Sequence, residues 1–335
     1  MQILREQFDK ENIYDIIKNI PAQLTQSLRE TKISFDKQPE KIVFCGMGGS
    51  ASPANLLKNY LAVAKINFNI PIKIVRSYNL PTSVDSTWSG FFSSYSGNTE
   101  ETLAALAEAK KRNLKEAVLL AHGGELKEIA EKENRPLIEI PDFAQPRMGY
   151  LYVVGALLKV LENSNLINLD QESMEKDIES LMNNETPEKV GQKLAKSLQG
   201  TIPIIYSSTT WESLAMVWKI NFNENAKVPS FWHTFPELNH NEMVGYTHSK
   251  EKFKAIILKD AEDDERINKR ITVFEKIFGE KLKIEVIEMP SGSPLYKMVY
   301  TLLIGLWASY YLALLNNIDP APVVVVEKFK RLLTD

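Results

Sequence analysis

A chain of 335 residues, 44% apolar and 25% charged, has the composition of a globular protein and the length for two domains or one large one. Its net charge of −3 offers no basic field for nucleic acid or an anionic membrane. The single cysteine, Cys45, excludes an intrachain disulfide and a thiolate metal cluster.

The N-terminus is charged from Arg5 onward and lacks the apolar stretch of a signal peptide, so a cytoplasmic location is expected. The first thirty or so residues read as an amphipathic helix, with Ile13, Ile16, Ile17 and Ile20 on one face. Apolar, β-rich runs follow at 41–44, 72–75, 90–94, 117–121 and 137–140, with helical patterns such as 52–64 and 99–112 between them. That alternation predicts a parallel, doubly wound sheet. Pro146 stands just ahead of a helical run over 148–161. Residues 164–200 are polar with helical spacing and read as a connecting layer. A second alternation places strands at 202–206, 255–258 and 284–287 among helices at 212–223, 264–278 and 295–315. The apolar stretch 300–315 is short for a bilayer and includes Trp307, Ser309 and tyrosines, so it reads as a buried helix. Pro320 and Pro322 introduce a last helix over 323–333. The expected fold is α/β, with two halves, 1–160 and 161–335, each a mainly parallel sheet flanked by helices.

Two turns carry the strongest chemical signal. Gly46-Met47-Gly48-Gly49-Ser50 and Ser93-Ser94-Tyr95-Ser96-Gly97-Asn98-Thr99-Glu100 each follow a strand and open a helix. Helix N-termini expose unpaired N–H groups and the positive end of the macrodipole, a natural seat for an anion. The pair predicts one phosphate held by both turns. The first turn also fits the loose pattern G-x-G-x-x-A of dinucleotide sites. The second strand, however, ends Val75-Arg76-Ser77-Tyr78, with no carboxylate for a ribose, although an arginine suits a 2′-phosphate. Hydroxyls of Ser94, Ser96 and Thr99 around Gly97 favour a compact phosphate over an extended cofactor. The bland alternative is helix capping, with Glu100 or Glu101 completing a capping box. These turns resemble the phosphate-binding turns of sugar isomerase (SIS) domains, for which SYSGNT is a fairly specific signature. The resemblance implies that Ser94, Ser96 and Thr99 grip a phosphosugar, with Gly49 and Ser50 completing the cradle.

Acid–base groups lie mostly in the later half. Glu224, in Asn221-Phe222-Asn223-Glu224-Asn225-Ala226-Lys227, ends a helix, where the negative end of the dipole raises proton affinity. That position suits a general base, against the alternative of a surface ion pair with Lys227. His240, in Pro236-Glu237-Leu238-Asn239-His240-Asn241-Glu242, is placed to move a proton near neutral pH, with Asn239, Asn241 and Glu242 as candidates to fix its tautomer. His233, Glu237, His240 and Glu242 match no familiar metal spacing, so no metal is expected. Arg147, in Gln145-Pro146-Arg147-Met148, suits an oxyanion at the mouth of a sugar-phosphate cleft, against a surface pair with Asp142.

From about residue 38 to the end, the motifs GMGGS, SYSGNTEE, QPR, NENAK and PELNHNE resemble, in order, those of the bifunctional phosphoglucose/phosphomannose isomerases, a branch of the SIS superfamily. The resemblance implies interconversion of glucose 6-phosphate, mannose 6-phosphate and fructose 6-phosphate with no cofactor. It implies Glu224 as the base between C1 and C2 and Arg147 stabilising the enediolate. It further implies His240 assisting ring opening from the partner subunit of a homodimer, and Lys328 or Lys330 at the ring oxygen. Ala321, in Asp319-Pro320-Ala321-Pro322, replaces a threonine common in that family. Rival readings are a non-catalytic phosphosugar sensor, an amino-sugar phosphate isomerase or deaminase, and a nucleotide-dependent dehydrogenase.

Overall fold

The computed structural model describes residues 1–248 and 252–334. In chain order its elements are α1 (Gln2–Phe8), α2 (Ile13–Glu30), β1 (Lys41–Gly46), α3 (Gly48–Val63), β2 (Ile72–Val75), β3 (Trp88–Ser93), α4 (Glu100–Lys111), β4 (Glu116–Ala121), α5 (Gly124–Lys132), β5 (Leu137–Glu139) and α6 (Tyr150–Asn163). There follow α7 (Gln171–Met182), α8 (Thr186–Leu198), β6 (Ile202–Ser208), α9 (Glu212–Glu224), β7 (Phe231–Phe235), β8 (Phe253–Lys259), α10 (Glu265–Phe278), β9 (Lys283–Glu288), α11 (Pro294–Leu315) and α12 (Val324–Thr334). The chain divides into two compact units, and the division interleaves the sequence. One comprises Lys18–Asn183 and Gly292–Tyr296; the other comprises Met1–Ile17, Asn184–Ser291 and the chain from Lys297 onward.

The unit that begins at Lys18 is built on a five-stranded parallel sheet of order β2-β1-β3-β4-β5. Strands buried on both faces should read as unbroken apolar runs. β3 is buried throughout, as are β1 and β4 after their first residue. Val43, Cys45, Phe92 and Leu119 pack with Leu106 of α4 and Leu126 of α5 in one core. In register, Gly46 lies opposite Ser93, so the turns after β1 and β3 leave the sheet side by side.

The other unit holds a four-stranded parallel sheet of order β7-β6-β8-β9. Its edge strand β7 falls in a stretch where the sequence predicts no strand, though Phe231-Trp232-His233-Thr234-Phe235 is rich in aromatic and β-branched residues. Ile204, Tyr206, Phe235, Ile257 and Phe274 form its core. The helix α11 has the length and apolarity of a membrane span, with mean hydropathy 1.7, but 89% of that window is buried in protein. Contacts of distant sequence close this unit. The Tyr310 hydroxyl donates to Asp9 at 3.0 Å, and both Tyr14 and Tyr311 donate to Glu188. The Tyr14 ring lies 5.0 Å from that of Trp307.

Candidate active site

In an open parallel sheet, ligands bind outside the carboxyl ends of the strands where the chain order reverses. For the sheet β2-β1-β3-β4-β5 that point falls between β1 and β3, where the two glycine and hydroxyl turns emerge. The backbone N–H of Tyr95 donates to Ser50 Oγ at 3.2 Å, tying one turn to the other. Ser94 Oγ and Thr99 Oγ1 lie 2.8 Å apart, and Thr99 N donates to Ser94 Oγ at 3.3 Å. Asn98 N donates to Ser96 Oγ at 3.3 Å. Ser94 is fully buried, Ser96 is exposed, and Gly49, Ser50 and Thr99 are half-buried. Ser94 thus braces Thr99 from behind, and Ser96 is the exposed hydroxyl of the two turns.

Simple helix capping does not describe these turns. Thr99 occupies the N-cap of α4 without a side-chain cap bond, and Met47 and Gly123 head α3 and α5 likewise. Two helix N-termini, those of α3 and α4, therefore meet on the carboxyl edge of one sheet without side-chain caps, an arrangement suited to a phosphate, while the first turn of α5 beside them is capped by the second turn. The turn at Gly123 was not singled out by the sequence. It packs against the second turn: Asn98 Oδ1 accepts from Glu125 N at 2.9 Å, and Gly97 O accepts from Leu126 N at 3.0 Å. Gly97 has φ of +73°, and a Cβ there would stand 1.8 Å from the Gly123 carbonyl oxygen. No other residue type fits.

Arg147 lies beside this cradle. A Cβ on Gly49 would stand 3.2 Å from Arg147 N and 3.3 Å from Pro146 Cβ, so the QPR segment runs directly against the first turn. Arg147 is fully buried, rather than at an open mouth, and donates to Gln145 Oε1 at 3.2 Å. Asp142, the surface partner weighed for it, accepts instead from Ala144 N at 2.9 Å and the Tyr95 hydroxyl at 3.1 Å. Those bonds, the backbone one foremost, hold its carboxyl below the usual carboxylate range.

In the second unit Glu224 is the last residue of α9, half-buried, in a cavity of about 820 Å³. Lys219, Asn223, Lys227, Phe231, Asp319 and Val323–Val326 also line it. Neighbouring residues of the NENAK segment fix its backbone. Asn225, fully buried, donates to Ser309 Oγ at 2.9 Å. Asn223 Oδ1 accepts from Ser230 N at 2.9 Å and Ser230 Oγ at 2.8 Å. The Lys227 ammonium donates to the Glu224 carbonyl oxygen at 2.7 Å and that of Pro320 at 3.1 Å.

The chain-reversal point of this second sheet, between β6 and β8, is filled by the protein's own groups. Lys297 donates to Asp260 at 2.9 Å and lies 2.8 Å from Glu262, and the buried Trp211 indole donates to Asp260 at 3.1 Å. Buried charges persist when paired in this way.

His240 ends a 3₁₀ turn, Glu237–His240, and is exposed. Leu238 anchors that turn in the core. The side chains expected to fix the imidazole tautomer make other bonds. Asn241 donates to Glu237 at 2.8 Å, Asn239 accepts from Arg270 at 3.3 Å, and Glu242 accepts from the hydroxyls of Tyr206 and Tyr246. Burial, together with Glu242 and each other's hydroxyl, pushes the acidity of Tyr206 well below that of a free phenol. Lys328 and Lys330 both lie on exposed faces of α12.

A protein of Aquifex aeolicus named bifunctional phosphoglucose/phosphomannose isomerase is 33% identical over 326 residues, spanning 96% of this chain and 98% of its own length. The chain belongs to that isomerase family. A family model described as the bacterial phospho-glucose isomerase C-terminal SIS domain matches residues 188–333. A D-glucosamine-6-phosphate 4-epimerase from Sulfolobus acidocaldarius is 31% identical, covering 88% of this chain and 89% of its own. Among solved structures, a hypothetical protein of Thermus thermophilus superposes with a TM-score of 0.78 at 16% identity, over 99% of this chain and 92% of that one. The two-sheet α/β architecture is therefore that of the SIS fold.

Proposed function

We propose that this protein is a cytoplasmic aldose–ketose isomerase that interconverts glucose 6-phosphate, mannose 6-phosphate and fructose 6-phosphate, without a metal or organic cofactor. The observation that carries the reading is the pair of tied turns at the β1/β3 reversal point, with helix N-termini free of side-chain caps. Gly49, Ser50, Ser96 and Thr99 hold the phosphate, with Ser94 behind them. Anchoring a remote phosphate keeps the reacting carbons in register, so binding energy is spent on orientation.

Isomerisation then needs a base, a cation and a ring-opening group. Glu224 removes the proton from C2 of the aldose, or C1 of the ketose, and returns it to the neighbouring carbon through a cis-enediol. The fixed fork of Arg147 stabilises the enediolate oxygen. His240, from the partner subunit of a homodimer, and Lys328 or Lys330 assist opening of the pyranose ring. Support for a second copy comes from α12, where Val325 is 81%, Leu332 63% and Phe329 61% exposed. An eleven-residue helix does not hold itself in water, so such an apolar face requires cover.

Parallel assays with glucose 6-phosphate and mannose 6-phosphate, EDTA present, test the reaction. Glu224→Gln is expected to abolish turnover, by at least about 10³-fold, while phosphosugar binding persists. A sensor would lack turnover in the wild type too. An active Glu224→Gln would remove the base assignment, and activity lost to EDTA would overturn the metal-free reading.

A further inference from the structure

Lys227 sits in a backbone conformation that its side chain does not favour. Its φ is +55°, in the left-handed region, and five of the eight non-glycine residues with positive φ among the described residues are asparagine. After a helix end this region is the ordinary place for glycine or asparagine, because a Cβ is strained there. At Lys227 the side chain makes bonds that offset this strain.

Its ammonium spans two carbonyls from distant parts of the chain. One is that of Glu224, the last residue of α9, at 2.7 Å; the other is that of Pro320, at 3.1 Å, in the turn before α12. That turn is itself fixed, since Ala321 N donates to Asp319 Oδ1 at 2.9 Å. Lys227, Glu224 and Asp319 line the same cavity. One cation thus sets the spacing between the helix end that presents the carboxylate and the segment leading to Lys328 and Lys330. A charged donor bridging two carbonyls satisfies the exposed carboxyl end of α9 and resists rotation of its last residue.

We propose that Lys227 is a positioning residue for Glu224, acting through the two carbonyls it joins rather than by touching substrate. The inference rests on the isomerase reading and extends it to a residue with no part in the proton transfer. Misplacement of a base by a fraction of an ångström lowers kcat more than substrate affinity.

The test replaces Lys227 with glycine, methionine and arginine in the full-length protein and measures kcat, KM and thermal stability. Lys227→Gly relieves the strained backbone, so it should unfold no earlier than wild type, yet its kcat should fall about tenfold or more with KM within about threefold. Lys227→Met should show the same loss of kcat, and Lys227→Arg, which keeps a cationic donor, should recover most of it. Wild-type kcat in a folded Lys227→Gly or Lys227→Met protein would overturn the proposal. So would an Lys227→Arg protein as slow as Lys227→Met. An inactive Glu224→Gln beside a fully active Lys227→Met refutes this inference alone; an active Glu224→Gln refutes the base assignment and this inference with it.

Discussion

At the scale of single residues, Gly97 makes the sharpest prediction. Its missing side chain lets the second turn lie against the Gly123 carbonyl. Gly97→Ala should lower stability by about 1–3 kcal/mol and weaken phosphosugar binding, read by thermal shift with and without glucose 6-phosphate. Cys45 gives a second. It is 1% exposed, and burial pushes its thiol up to about 12. The native protein should therefore resist iodoacetamide at pH 8 and react promptly once unfolded; labelling of the folded protein would show that β1 opens readily. That Ser96 and Thr99 fall in a strand-to-helix turn was legible, because glycine and hydroxyls at such a junction form a local pattern. The brace from buried Ser94 and the link from Tyr95 to Ser50 were not legible. They arise from the pairing of Gly46 with Ser93 across two strands, which no local pattern encodes.

At the scale of elements, the expected strand at 72–75 matches β2 to the residue, and those for β1, β4 and α11 fall within one or two positions of the observed bounds. β7 escaped because its five residues do not alternate: Phe231 is exposed while the neighbours Thr234 and Phe235 are both buried. The α5 turn escaped because two glycines after a strand carry no hydroxyl. The end of α9 shows how an element's termination can matter more than its body. Ser309→Ala removes the acceptor of the buried Asn225 amide, and loss of one buried partner should cost about 1–3 kcal/mol, measurable by denaturant titration. A change below a few tenths of a kcal/mol would mean that the Asn225 amide repairs its bonding elsewhere. The end of α9 at Glu224 was legible in the NENAK segment, but the bonds of its neighbours depend on α11 and the Pro320 turn, far away in sequence.

For the whole molecule, the proposed exchange of His240 between subunits has a distinctive signature. Glu224→Gln and His240→Ala proteins, each inactive alone, should regain activity when unfolded together and refolded. Half of the resulting dimers are mixed, and one site in each mixed dimer has both intact groups, giving about a quarter of wild-type activity. No recovery would place Glu224 and His240 of one site on the same chain, or rule out the dimer. The bonds from Asp9 to Tyr310 and from Glu188 to Tyr14 and Tyr311 carry a further implication. Deleting residues 1–17 should lower the unfolding midpoint of this unit even though it removes no strand. During synthesis the ribosome releases those first residues about three hundred codons before their partners in α11 emerge. Tyr14 meets Glu188 first, 174 residues on, and Asp9 finds its Tyr310 partner only once α11 has been made. Until then the surface that will face α11 is left uncovered, and transiently uncovered apolar surface is where aggregation starts.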